Sequence, residues 1–275
     1  MNITRVKIIA DYLEEIKHTL PSIYPWNPNL KGLYGFEILS QDEQDFLGKF
    51  ESNSSEISPA GKFEKELGLK KIVKKHLHHL HQTNKTKFIE LAKWIIKDWG
   101  GISGGNETDK LIEEIVINKA NISFDRIASS SKVGAFMFPE ELIIYDSRVA
   151  YSLNWILLKN GESSNFFPIP DGRNSKMMAF DMNVLIRLGL KDKYNPTAEN
   201  SLANKKMINT FDRKVFIDKK QAYKELNLLI KQVHQLLWEN KYPEELYRTE
   251  MLLFSISDNY VYEDILKSVE FSIHN

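Results

Sequence analysis

The sequence predicts an all-α protein, and three observations lead there. Apolar residues recur at helical spacing through most of the 275 residues. Strand-like alternation is nearly absent. Proline and paired glycines interrupt the periodic runs where helices of ordinary length should stop. Hydrophobic residues make up 42% and charged residues 27%, the balance of an ordinary globular chain rather than a disordered one.

The elements follow in order. Ile3 to Leu20 carries Ile8, Ile9, Tyr12, Leu13 and Ile16 at helical spacing, with Pro21 as its stop. Residues 21–60 are rich in Pro, Gly, Asn and Ser and read as a long irregular connection, with a short helix around Asp42 to Phe50. Lys62 to His81 reads as a basic helix. Thr86 to Trp99 places Phe88, Leu91, Ala92, Ile95 and Trp99 on one side, and Gly100-Gly101 end it. Asp109 to Ile117 is a further helix. Ser123 to Ala128 and Lys132 to Phe138 read as two short helices joined by a Ser129-Ser130-Ser131 turn. Asp146 to Lys159 is longer. Candidate helices at 175–189, 219–239, 243–256 and 260–270 complete the chain, with a division expected near residue 160.

Composition excludes several chemistries. Cysteine is absent, which removes disulfides, thiol nucleophiles and thiolate metal sites. No apolar run approaches the roughly 18–20 residues of a membrane span. The N-terminal residues lack a signal-peptide apolar stretch. The reading is a cytoplasmic protein with no membrane partner, no metal and no cofactor. Lys plus Arg and Asp plus Glu both total 37, which argues against a surface that grips polyanions everywhere. The charge is nevertheless segregated. Residues 62–93 hold nine lysines against three glutamates, and residues 203–220 hold six basic residues against two acidic ones. Such stretches are where a phosphate backbone would be met, and both are expected on the side of Lys132.

Residues 124–154 carry a chemical argument. Lys132 is placed at a helix start, where the positive end of the helix dipole disfavours an ammonium. Apolar neighbours disfavour it further, and both effects lower a lysine pKa. A partly neutral amine can attack carbon and form a Schiff base. Asp146 reads as an N-cap whose carboxylate accepts backbone N–H groups near Arg148 and Val149. An ionised carboxylate beside a nucleophilic amine suits a reaction that develops positive charge on a sugar ring.

These residues resemble the helix-hairpin-helix DNA glycosylases, in particular a bacterial 8-oxoguanine-glycosylase-like group. The resemblance rests on Lys132-Val133, Pro139, Ile144-Tyr145-Asp146 and the run from Tyr145 to Asn154. Trp99 to Ile102 and Phe166 to Pro170 also look familiar for that group. About thirty residues are covered. The resemblance implies two helical subdomains with a cleft between them, a central part at 61–160 with the hairpin at 122–138, and a C-terminal part at 161–275. It implies a monomeric enzyme acting on double-stranded DNA that contains a modified base, with 8-oxoguanine the first expectation. Such enzymes extrude the nucleotide and read the base in a pocket. By match, Lys132 takes the nucleophile's role and Asp146 that of the stabilising carboxylate. The family turn is Gly-apolar-Gly, whereas this chain has three serines, whose hydroxyls can donate to phosphate.

Other residues join as candidates. Arg148 and Arg173 are placed at phosphate. Trp99, Phe166, Phe167 and Glu250 are placed at the base pocket. His76, His78, His79 and His81 share one basic helix, with no carboxylate or cysteine nearby in sequence to complete a metal site. The alternatives are a non-catalytic DNA-binding or phage-defence module on the same fold, and a helical adaptor for other proteins.

Overall fold

Helices account for nearly all the regular structure in the computed structural model. It describes residues 3–51, 57–103, 105–170, 175–190 and 215–270. Among these residues the strand-like pairing is an isolated parallel bridge between Phe166 and Phe216. The all-α expectation is met.

The first helix, α1 (Ile3–Glu14), is followed by a tight turn at Lys17–Thr19 and a short α2 (Leu20–Ile23). Pro21 therefore opens a helix rather than closing one. Its missing N–H costs nothing in a first turn, where that donor has no intrahelical acceptor. The connection read as irregular also holds α3 (Lys31–Tyr34) and α4 (Gln41–Gly48). Ser40 and Glu43 close α4 with a reciprocal capping box.

The long α5 (Pro59–Thr83) turns back into α6 (Lys85–Trp94) around Asn84, whose side chain accepts from the Lys87 N–H at 3.1 Å. The end of α6 widens into one π turn, Ile95–Trp99. Then come α7 (Thr108–Asn118), α8 (Ile127–Met137) and α9 (Ser147–Lys159). Beyond them lie α10 (Ser175–Ala179), α11 (Met182–Gly189), α12 (Lys219–Leu237), α13 (Tyr247–Ile256) and α14 (Tyr260–Ser268). Asp181 caps α11 and divides the single helix expected over 175–189.

The core centres on α9, whose residues Val149 to Leu157 are all buried. It packs against α1, α11, α13 and α14, while α1 also lies along α12. On the other side α8 packs against α5, α7 and the π turn. Asn154, fully buried in α9, clamps the peptide of Phe167. Its Nδ2 donates to Phe167 O and its Oδ1 accepts from Phe167 N–H, both at 2.8 Å. That clamp holds Phe166 and Phe167 inside the core.

The segment entering α9 is extended and tied on several sides. Ile143 N–H donates to Asn227 Oδ1 at 2.8 Å, and Tyr223 OH donates to Ile143 O at 3.0 Å. Asn227 also donates to Tyr223 O at 2.7 Å. An Asn227→Ala substitution would orphan the buried Ile143 N–H. It should cost about 1–3 kcal/mol, measured by urea unfolding. A loss below about 0.5 kcal/mol would contradict this account of how the segment is held.

Candidate active site

Arg126 opens α8 in the left-handed conformation (φ 52°, ψ 28°), and the helix then runs unbroken to Met137. Ser129, Ser130 and Ser131 are thus not a turn between two helices. They form the first turns of one helix and are 3%, 1% and 0% exposed. The physical reason is burial: Ile127, Val133, Ala135 and Phe136 are all interior, and a break at the serines would expose backbone in the core. Ser131 has a structural task, since its Oγ accepts from Tyr145 N–H at 3.0 Å. The serines are therefore not open to phosphate. The helix–loop–helix with an exposed connection is α7, residues 119–126 and α8. Lys119 and Arg126 take the positive φ values (49° and 52°) at its two ends.

Lys132 is consequently the sixth residue of α8, beyond the first turn over which a helix dipole acts. Its amine is held below the ordinary lysine range by desolvation, not by a helix start. Asp146 and Glu250 partly oppose that shift, and Lys70 adds to it. The amine donates to Ala128 O at 2.9 Å. Its stem runs past Gly100, where an added Cβ would lie 2.7 Å from Lys132 Cδ and Cε. The π turn followed by glycine thus makes room for the lysine.

Asp146 is the N-cap of α9 in extended backbone (φ −103°, ψ 153°), and its Oδ1 accepts from Arg148 N–H at 2.9 Å. The bond from Tyr145 N–H to Ser131 Oγ links the residue before Asp146 to the residue before Lys132. Both side chains open on one cavity of about 470 Å³, within the range of small-molecule sites. Trp26, Trp99 and Phe254 give it aromatic walls, and Lys70 and Glu250 line it as well. Trp26 meets Trp99 edge-on at 5.9 Å and Phe254 at 6.3 Å between ring centroids.

Several ionisable groups converge here. Glu66 and Lys70 form a buried pair at 3.3 Å, and Glu66 also accepts from Trp99 Nε1 at 3.2 Å. The Lys70 ammonium sits over the rings of Phe136, Trp99 and Tyr247 at 4.4–5.5 Å. Burial pushes the Glu250 carboxyl up to about 8, with Lys70 resisting the shift. Its Oε2 is buried without a hydrogen-bond partner among the described residues.

The remaining candidates are distributed differently. Trp99 and Glu250 line the cavity, whereas Phe166 and Phe167 belong to the core. The Asn154 clamp makes those two rings structural. Arg148 edges the cavity, stacks on Phe254 at 4.6 Å and pairs with Asp258 at 3.2 Å. Arg173 lies outside the described residues. Trp26, Phe254, Lys70 and Glu66 were not singled out from sequence. Glu66 and Lys70 do fall in helical register with Leu69, Val73 and Leu77, a charged pair on an apolar face that could have marked them.

The basic stretch at 62–93 is not an open face. Lys65 and Lys70 are buried. Lys71 pairs with Glu245, Lys74 with Glu140 and Glu244, and Lys75 with Glu43. Lys85 pairs with Glu113 and Lys93 with Asp109. His76 contacts Glu43 and His78 contacts Met137 O, so those histidines fasten α5 to its neighbours. No cluster of metal-binding residues occurs among the described residues. Of the second basic stretch, residues 203–214 lie outside the description. Lys219 and Lys220 line a larger groove of about 1000 Å³ beside residues 121–129. That groove shares Ile102, Ser103 and Ala128 with the cavity.

No helix among the described residues is long and apolar enough to cross a membrane. Comparison with family models, curated proteins and solved structures finds no match.

The sign of the Lys132 shift makes a stability prediction. Its folded pKa lies below the unfolded value, so between the two, up to about pH 10.5, the unfolded chain binds more protons and stability rises with pH. The buried lysine therefore destabilises the fold at neutral pH, and less so as pH rises. Lys132→Met should raise the melting temperature at pH 7, and the gain should shrink toward pH 10. A gain that is absent or independent of pH would show that the amine is not desolvated.

Proposed function

We propose that the chain is a DNA glycosylase with associated lyase activity, acting through a Schiff base on Lys132. The observation that carries this reading is one nearly buried amine sharing a base-sized cavity with an N-capping aspartate and aromatic walls. A desolvated lysine is more readily neutral, and a neutral amine is a nucleophile. Aromatic walls suit a planar ring taken out of a base stack. The helical order supports the resemblance: α7, an exposed loop and α8 stand in the helix-hairpin-helix order, followed by Pro139 and Asp146. The cleft is placed between α5–α8 on one side and the α9–α13 packing on the other.

The chemistry balances as follows. Lys132 Nζ forms a bond to the sugar C1′ as the C1′–N bond to the base breaks. The bonding pair leaves with the base, which takes up a proton. Asp146 stabilises the positive charge on the sugar during that exchange. Opening of the sugar ring gives the imine. Loss of a C2′ proton then expels the 3′-phosphate and nicks the strand. A modified base, with 8-oxoguanine first in line, would be the leaving group.

DNA is placed along the groove beside residues 121–129, with Arg126, Lys219 and Lys220 near the phosphates. This replaces the serines as the phosphate-facing segment. The larger basic stretch contributes little, because six of its nine lysines are paired with acidic groups. The expected DNA grip is accordingly local and modest.

Two measurements test the proposal. Borohydride should trap wild type covalently on duplex DNA carrying an abasic site or 8-oxoguanine, and Lys132→Gln should abolish trapping while retaining DNA binding. Wild type that never traps on either duplex sinks the enzyme reading in favour of a non-catalytic binding module. Separately, the double substitution Lys219→Ala, Lys220→Ala should weaken DNA binding and lower the slope of log affinity against log salt by roughly 2. An unchanged slope would move the DNA elsewhere on the surface.

A further inference from the structure

Lys132 and the π turn meet at one glycine. The lysine is 6% exposed, and its stem passes Gly100, the residue after the turn Ile95–Trp99. A Cβ built on Gly100 would lie 2.7 Å from Lys132 Cδ, Lys132 Cε and Ile96 O. Any side chain there must displace the stem, the turn or both. Backbone conformation is not what requires the glycine. Gly100 sits at φ −86° and ψ −10°, which any residue can adopt. Its neighbour Gly101 takes the positive φ of 64° that turns the chain. The two glycines therefore have separate tasks: Gly101 supplies the bend, and Gly100 supplies space.

The turn that presents Gly100 is held in place. Gly101 N–H donates to Lys97 O at 2.9 Å, and Ile102 N–H donates to Ile96 O at 3.1 Å. Trp99 Nε1 donates to Glu66 at 3.2 Å. Single π turns within α-helices gather at functional sites. Here the turn brings a residue without a side chain against the stem of the one buried amine proposed as nucleophile.

The place where that amine comes to rest has a meaning for the reaction. Lys132 Nζ donates to Ala128 O at 2.9 Å. Ala128 lines both the cavity and the groove, as do Ile102 and Ser103. The amine is thus anchored at the residue where the two spaces join. In an extruded nucleotide the base enters the cavity while the sugar stays with the strand. Its C1′, the atom to be attacked, would come to rest at that junction.

We propose that Gly100 is a positioning residue: its bare Cα lets the Lys132 stem lie along the π turn and sets the amine at the junction of cavity and groove. This rests on the glycosylase reading and adds to it how the nucleophile is aimed.

The test uses the full chain. In wild type labelled at lysine and glycine, a nuclear Overhauser cross-peak should join Gly100 Hα to Lys132 Hε. Its absence overturns the inference. Gly100→Ala should lower the single-turnover rate of borohydride trapping on an abasic duplex about 100-fold, with DNA affinity unchanged. A wild-type rate overturns the inference, and so does a loss explained wholly by weaker binding. Gly100→Ala should also lower the melting temperature less in a Lys132→Ala background, which lacks Cδ and Cε. An equal loss in both backgrounds overturns the inference and assigns the glycine to Ile96 O alone. Should Gly100→Ala fail to fold with Lys132 present, folding in the Lys132→Ala background supports the contact. Should it fold in neither, the wild-type cross-peak decides. Wild type that never traps removes the glycosylase reading beneath the proposal, whereas the cross-peak and the melting comparison judge the contact without DNA.

Discussion

One hydrogen bond fixes the geometry on which the site depends. Tyr145 N–H donates to Ser131 Oγ inside the core. Ser131 precedes Lys132 on α8, and Tyr145 precedes Asp146 at the start of α9. The bond therefore ties α8 to the start of α9. Asn227 and Tyr223 hold the same segment from behind through Ile143. With the peptide pinned on both sides, Asp146 has little freedom except at its own side chain, and the Arg148 N–H takes one of its oxygens. A site on helices and pinned backbone is better preorganised than one on loops.

That rigidity must offset a concentration of buried charge. Glu66, Lys70, Lys132, Asp146 and Glu250 lie within electrostatic reach of one another. Their burial costs run in opposite directions with pH. Glu250 has its folded pKa raised to about 8, so its stabilising protonation is complete below about pH 4.5 and is lost as pH rises through 8. Lys132 is lowered, so its penalty eases as pH rises toward 10.5. A fold optimised only for stability would replace both with apolar residues.

The sequence made several helices legible because they carry their own local signal. Ser40 with Glu43, Asn84, Asp146 and Asp181 announce their helices by side-chain caps, which act within four residues. The juncture at Ser129–Ser131 was not legible. Serine reads as a turn former by propensity, and only the third dimension shows its hydroxyl satisfied by Tyr145, fourteen residues away. The same limit applies to the cavity. Lys132, Asp146, Trp99 and Glu250 were visible as chemistry-bearing residues. Trp26 and Phe254 were not, since nothing local distinguishes a cavity wall from a core ring. Phe166 and Phe167 show the converse, because it takes Asn154 to bury them.

Charge counting misled for a related reason. A run of nine lysines in 62–93 looks like a polyanion face only while its partners are out of view. The acids that neutralise it come from residues 43, 109, 113, 140, 244 and 245, far away in sequence. The ion pairs turn the long α5 into a strut that ties α4, the 140 turn and the start of α13 together. Exposed pairs of this kind add little stability each, but they cancel the field a phosphate backbone would feel. In the proposed DNA reading the positive surface is instead that of Lys219 and Lys220 at the start of α12, which border the groove that joins the cavity. A total charge of zero is compatible with one small basic patch of the proposed kind, because most of the lysines in 62–93 are held in ion pairs.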